Sequence, residues 1–270
     1  MNIIPVDKAP NPLSYMRFIQ FLIVILLVSS LGNKAVAQDV LGGAVKYQRL
    51  ANFGIEAEGE YAEFKKTLPK SRITNFILYY TEEAYQFVEN SKENEALTDM
   101  MKKAMYFAGT WGKPRVTLMK YYHNPQKILQ IKQTEFMTRL FREEFNMKKI
   151  KWKMGTASKE ILGYTCMQAQ TELDGKKILA WFTPDIPISA GPERYYGLPG
   201  LMLEVNVNQG EVVWLANSID PSIPSKDLLA KPKEGKKVKP DQYMQIQEGK
   251  IAEWERAQEM KTSDKAVRLK

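Results

Sequence analysis

The sequence predicts a mainly β protein of the α+β class. A curved antiparallel sheet of about 8–11 strands is expected, with an internal helix near residues 93–107 and a C-terminal helix near 241–260. Three observations predict this. Apolar residues recur with period two along much of the chain, and two hairpin-type turn signals separate extended runs. Only one internal stretch carries the 3.6-residue period of a helix.

The chain begins with a targeting segment. Lys8 and Arg17 supply positive charge, Phe18 to Leu31 is an almost unbroken apolar run, and Ala35-Val36-Ala37 is an A-x-A cleavage site. That run is about 14 residues, short of the ~20 needed to span a bilayer. Cleavage is expected after Ala37, with the product in the periplasm or associated with the outer membrane. No cysteine lies near the cut to carry a lipid, and no later apolar run is long enough to span.

Residues 38–224 are read as one β domain. Early strands are expected at 43–50, 75–80, 116–122, 127–133 and 136–145, with Asn124-Pro125 breaking the chain between the third and fourth. Ile150, Trp152 and Met154 alternate with Lys149, Lys151 and Lys153, the pattern of a half-buried antiparallel strand, and a turn is expected at 154–156. The run 164–173 is again extended. Asp174-Gly175 then precedes the strand 178–182, and Asn208-Gln209-Gly210 joins 201–207 to 211–216; both are hairpin signals.

The internal helix follows from Leu97, Met100, Met101, Ala104 and Met105, which share one helical face. Asn90 with Glu93 offers its N-cap, Gly109 its stop, and the concave face of the sheet its packing surface. In residues 225–240 six lysines (226, 231, 233, 236, 237, 239) face only Asp227 and Glu234, a run that could touch anionic lipid or cell-surface polysaccharide. Pro232, Pro240 and Gly235 favour a solvated Lys/Pro-rich linker. Residues 241–270 form a loosely attached helix and tail, with Met244, Ile251 and Trp254 on one side.

The residue inventory restricts the chemistry. One histidine, His123, is too few for an ordinary zinc or iron centre, and Asn124-Pro125 beside it suggests a turn position. No Gly-x-Ser-x-Gly elbow and no Gly-rich phosphate loop is present, and no metal, cofactor or nucleic-acid partner is expected. Cys166 is the only cysteine, so there is no internal disulfide; its place in an alternating run suggests buried filler. A Cys166–His123 dyad is the sharpest enzymatic reading left. Glu143-Glu144 and Glu82-Glu83 are sequence neighbours, so in a strand each pair points to opposite faces. The methionines are read as flexible core filler rather than copper ligands.

The most informative stretch is 179–203. Pro184, Pro187, Pro192 and Pro199, with Gly191, Gly197 and Gly200, stiffen it, and apolar residues fill the gaps. Leu198 precedes proline and is pushed to extended geometry, while Pro199-Gly200 suits positions i+1 and i+2 of a type II turn. Tyr195 and Tyr196 are candidates for an exposed docking surface, with Leu198 and Trp181 as further binding candidates.

The run Gly197-Leu198-Pro199-Gly200-Leu201-Met202 closely resembles the motif that names the GLPGLI family of exported bacterial proteins. Further resemblance lies in Gly163-Tyr164-Thr165-Cys166, Ala169, the run from Ala180 to Ile188, Gly191-Pro192 and Gln133-Thr134-Glu135-Phe136. Met202 replaces the family's isoleucine, and Glu193-Arg194 stands where members commonly show Trp-Lys. The resemblance implies an exported protein of a Gram-negative bacterium, of unknown function. The sheet-plus-helix pattern is also similar to the half-open barrel of periplasmic lipoprotein carriers. The expected function is non-enzymatic binding of an apolar ligand, a lipidated chain or an outer-membrane partner on the concave sheet. The alternatives are a periplasmic thiol-dependent or hydrolytic enzyme using Cys166 and His123, and a structural accessory of an outer-membrane complex.

Overall fold

A computed structural model of the chain describes residues 42–268 except Glu95, Leu97 and Trp111. The expected signal segment 1–37, its cleavage site and Leu97 of the predicted helical face lie outside the described residues. The strands are β1 (Gly42–Asn52), β2 (Ser71–Thr81), β3 (Tyr85–Glu89), β4 (Val116–Asn124), β5 (Leu129–Phe136), β6 (Arg139–Asn146), β7 (Lys153–Ile161), β8 (Tyr164–Leu173), β9 (Lys176–Thr183), β10 (Leu201–Val207), β11 (Val212–Asp220) and β12 (Lys236–Val238). They form one sheet in the order β12-β6-β5-β4-β3-β2-β1-β11-β10-β9-β8-β7, antiparallel throughout except for β12 beside β6.

Two sequential meanders, β1 to β6 and β7 to β11, are thus joined where β1 pairs with β11. Chain connectivity forces curvature on this order. Seven peptide steps from Asn146 to Lys153 reach at most about 24 Å, yet β6 and β7 stand ten positions apart, about 48 Å if the sheet were flat. The sheet must therefore curl until its two ends approach, although they do not hydrogen-bond and it stays open. The expectation of a mainly β, curved antiparallel sheet holds.

Turn chemistry explains the hairpins. Asp174 and Gly175 both take positive φ (52° and 74°), as a type I′ turn requires, and Asn208, Gln209 and Gly210 do likewise. The alternating stretch 149–154 behaves differently: residues 147–152 lie outside the sheet and β7 starts at Lys153. The turn expected at 154–156 is a register irregularity inside β7, and the reversal comes at Leu162-Gly163. The 147–152 stretch is drawn away by hydrogen bonds to the proline-rich segment, described below.

Cross-strand register places Val45, Leu78, Phe87, Tyr121, Lys132 and Glu143 in one row on the inner face. The adjacent row is Gly43, Tyr80, Tyr85, His123, Gln130 and Phe145. What fills this face is the proline-rich segment, not a helix. Ile186, Ile188, Ala190, Tyr195, Tyr196 and Leu198 are buried in the same cluster as Val45, Leu78 and Phe87. Each large apolar side chain so buried contributes about 1.5–3 kcal/mol.

Three expectations are corrected. The internal helix is short, α2 (Asp99–Phe107), and follows a separate 3₁₀ turn at Ser91–Glu93. Its N-cap is Thr98, whose Oγ1 accepts from the Met101 N–H at 3.2 Å, rather than Asn90. It does end at Gly109 in a Schellman pattern, with Gly109 N–H donating to Tyr106 O and Thr110 N–H to Met105 O. It contributes nothing to the main core; Phe107 instead packs on Tyr61 and Phe64, the latter in the single-turn helix α1 (Ala62–Lys66), with ring centroids 5.9 Å apart.

The segment 225–240 is mostly exposed, but it is not a free tether. It crosses the outer face, where Gln86 Nε2 donates to Leu228 O (2.8 Å) and Gln133 Nε2 to Glu234 O (3.1 Å), and then adds β12 to the sheet. The C-terminal helix, α3 (Pro240–Arg268), is anchored at its first turns. Tyr243 is buried against Phe141 (5.0 Å), accepts from Thr134 Oγ1 at 2.8 Å, and shares a second cluster with Phe136 and Val238. No helix among the described residues is long and apolar enough to cross a membrane.

Candidate functional site

Between β4–β6, the connection that follows β6, the β8–β9 turn and the proline-rich segment lies a cleft of about 790 Å³. β4, β5 and β6 deliver Tyr121, Lys132 and Glu143 to its floor in one cross-strand row. Its far wall is the 193–196 portion of the proline-rich segment, tied to the β6–β7 connection by two hydrogen bonds. Tyr196 Oη donates to Lys148 O (2.5 Å), and Trp152 Nε1 donates to Tyr196 O (2.8 Å). These bonds hold 147–152 out of the sheet, and Ile150 lines the cleft as a result.

Charge in the cleft is mixed in sign. Glu143 is 6% exposed, and its Oε1 sits 3.6 Å from Lys132 Nζ with no hydrogen-bond partner among the described residues. Burial holds its carboxyl above the usual range, against the pull of Lys132. Glu193 is half-buried, with its backbone at positive φ (51°). Burial also raises its carboxyl, opposed by Arg49, Lys132 and Arg194. Arg194 closes on Asp174 at 2.7 Å across the β8–β9 turn. The Tyr121 phenol is pushed up, first by burial, and feels Arg194, Glu193, Tyr196 and Glu143 in turn. Glu144 points the other way, to Lys237 (2.8 Å) and Lys231 (3.6 Å), as alternation requires.

His123 occupies the wall behind Glu193. It is fully buried and lies between Tyr85 (4.4 Å) and Tyr121 (4.7 Å) in near-parallel stacks. Its Nδ1 is 3.1 Å from Gln130 Nε2 and its Nε2 is 2.8 Å from Glu193 O. Because the amide donates and the carbonyl accepts, the ring is the neutral Nε2–H tautomer. Burial pushes its pKa down to about 3, partly offset by the bond to Glu193. The turn position read for it is corrected: His123 is a core residue of β4 with both nitrogens satisfied.

Cys166 is likewise fully buried, in β8, with Sγ 3.6 Å from Tyr164 O and its thiol pushed up to about 11 by burial. Cys166 Sγ is turned to Tyr164 O while both ring nitrogens of His123 are taken by Gln130 and Glu193, so the structure does not assemble the dyad. Among the described residues no group of three or more His, Cys, Asp or Glu is placed to hold a metal ion.

The binding candidates read from sequence are placed differently. Tyr195 and Tyr196 are 7% and 8% exposed, so the exposed docking surface is not present; Tyr196 instead lines the cleft. Leu198 is buried in the core. Trp181 is covered by Lys159, whose Nζ lies 4.5 Å from the ring centre and 2.5 Å from Glu204 Oε2. The type II turn at Pro199-Gly200 is also corrected. Gly200 N–H donates to Leu198 O at 2.9 Å, an i→i+2 bond centred on Pro199, and the same bond recurs about Pro187. Gly200 is required for another reason: a Cβ there would lie 2.1 Å from Thr183 O. Leu201 N–H, freed from the turn, donates to Ile186 O at 3.0 Å.

Sequence reasoning missed Lys132, Glu143 and Glu193 as a group. The one available signal was Glu193-Arg194, the pair that departs from the GLPGLI pattern and here forms a wall of the cleft.

A family model described as a protein of unknown function (Porph_ging) matches residues 170–204. The match covers β9, the proline-rich segment and the start of β10, and is consistent with the GLPGLI resemblance over that part of the chain. No curated protein matches the chain. Among solved structures, "Structure of PNGF-II in P21 space group" aligns over 76% of this chain and 33% of that one, with TM-score 0.49 and 15% identity. "Structure of PNGF-II in C2 space group" aligns with TM-score 0.49 and 15% identity over 76% of this chain and 32% of that one. This chain therefore spans about a third of that protein's length.

Proposed function

We propose that this is an exported, non-enzymatic binding protein whose ligand occupies the cleft between β6, the 147–152 connection and Glu193-Arg194. The observation that carries the reading is Glu143, a nearly buried carboxylate lining the cleft whose Oε1 has only the 3.6 Å ion pair to Lys132 and no hydrogen bond among the described residues. A buried carboxylate held only by so long an ion pair keeps part of its desolvation cost, and a ligand donor within hydrogen-bond reach offsets it. The concave face read as the site of an apolar ligand is packed by Ile186, Ile188, Ala190, Tyr195 and Leu198, so the ligand reading moves from apolar cargo to this polar cleft. The thiol-dependent alternative loses its support, because Cys166 and His123 are each locked in separate surroundings. Export is carried by residues 1–37.

The test is native mass spectrometry on protein purified from its own cell envelope, wild type beside Glu143→Leu, with circular dichroism to verify folding. A non-covalent mass retained by wild type and reduced at least tenfold in the variant supports the reading. No retained mass, or equal retention by both, overturns it.

A further inference from the structure

The cleft's charge pattern also constrains what kind of molecule it accepts. We propose, resting on the binding reading above, that the ligand is a neutral saccharide of two or more rings. Lys132 stands 3.6 Å from Glu143 and within the field of Glu193, so a cationic ligand drawn to either carboxylate meets an ammonium already in place. An anionic ligand drawn to the cleft's four cations, Lys132, Lys148, Lys149 and Arg194, meets the three carboxylates Glu143, Glu193 and Asp174 interleaved with them. An acyl chain laid over the floor would strip water from the Lys132–Glu143 pair and offer no hydrogen bond in exchange. A hydroxyl group fits both charges at once, because it donates to a carboxylate and accepts from an ammonium.

The remaining lining agrees. Tyr121 and Phe145 stand edge to face, 6.2 Å apart, and with Tyr196 give the cleft aromatic surface beside its charges. The C–H faces of pyranose rings pack on such surface while their hydroxyls reach the polar groups. A volume of about 790 Å³ lies within the range of small-ligand clefts, about 300–1,000 Å³. Arg194, held by Asp174 at the rim, adds a fork of donors that stays in place without a ligand.

The proposal is tested by saturation-transfer NMR and titration calorimetry on the full mature chain. The neutral probes are maltotriose, mannotriose, galactotriose and triacetylchitotriose; the others are trigalacturonate, spermidine and dodecanoate. At least one neutral trisaccharide is expected to bind at least tenfold more tightly than any charged or apolar probe. Glu143→Leu should weaken that binding at least tenfold, while Glu143→Gln, which keeps an acceptor, should stay within about fivefold. Tightest binding by a charged or apolar probe, or no binding by any of the four neutral probes, overturns the saccharide assignment. Such a result together with a Glu143-dependent mass from the envelope would leave the binding reading standing; with no such mass, both fail.

Discussion

Acidification from pH 7 to pH 5 should destabilise the fold through His123. Its folded pKa is depressed to about 3 from the ordinary 6.5, so the unfolded chain binds the proton first. The contribution is therefore fully present above pH 6.5, erodes as pH falls below it, and stops eroding near pH 3. Linkage places the loss at about 0.2 kcal/mol at pH 7 and about 2 kcal/mol at pH 5. With a urea slope of about 1–3 kcal/mol/M, the pH 5 loss moves the unfolding midpoint by about 0.6–2 M. Glu143 and Glu193, whose carboxyls are raised, act in the opposite direction, because the folded state then takes up protons first. The assay therefore compares wild type with His123→Gln, which keeps both carboxylates and lacks the titrating ring. The variant should be less stable at pH 7 by about 2–4 kcal/mol, having lost the stack between Tyr85 and Tyr121. The stability difference between the two should shrink by about 2 kcal/mol on going to pH 5. An unchanged difference would refute the claim that this imidazole is held neutral.

Other outcomes follow from the packing. Gly200→Ala should destabilise by about 3 kcal/mol or more, because its Cβ would strike the Thr183 carbonyl. Gly197→Ala should cost only about 1–2 kcal/mol, since its positive φ is strained but nothing lies nearer than 3.7 Å, and thermal denaturation ranks the two. Cys166 should resist an aromatic disulfide reagent at pH 8 in the native protein and react stoichiometrically in guanidinium; rapid native labelling would contradict its burial. Tyr243→Phe should cost about 1 kcal/mol through the lost bond to Thr134, and Tyr243→Ala about 3–5 kcal/mol, both read by urea unfolding.

What the sequence disclosed was governed by local physics. Asp174-Gly175 and Asn208 to Gly210 marked hairpins because positive φ is a property of the turn residues themselves. Glu143 and Glu144 parted to opposite faces because strand geometry leaves no choice. The stretch 149–154 misled for the opposite reason: its alternation is real, but Trp152 and Ile150 are claimed by a segment more than 40 residues away. β3 gave no alternating signal because Tyr85, Gln86 and Phe87 are all buried, the middle one beneath the strap that carries Leu228. Tyr195 and Tyr196 looked like surface aromatics, since nothing local reveals that a proline-rich loop turns inward. Lys132, Glu143 and Glu193 come from two strands and a loop, and only the curl of the sheet brings them together.

The seam between β1 and β11 has a consequence in time. β1 is the first of the described strands to leave the ribosome, and β2 follows within thirty residues to cover one of its edges. The partner of its other edge begins at Val212, paired to Ala51, some 160 residues later. Until then eleven residues of open ladder, bearing Val45 and Tyr47, stand ready to pair with any extended chain nearby. A nascent molecule stalled before that point is a template for a second copy. Its safety depends on how quickly residues 212–220 arrive, or on what shields the bare edge meanwhile.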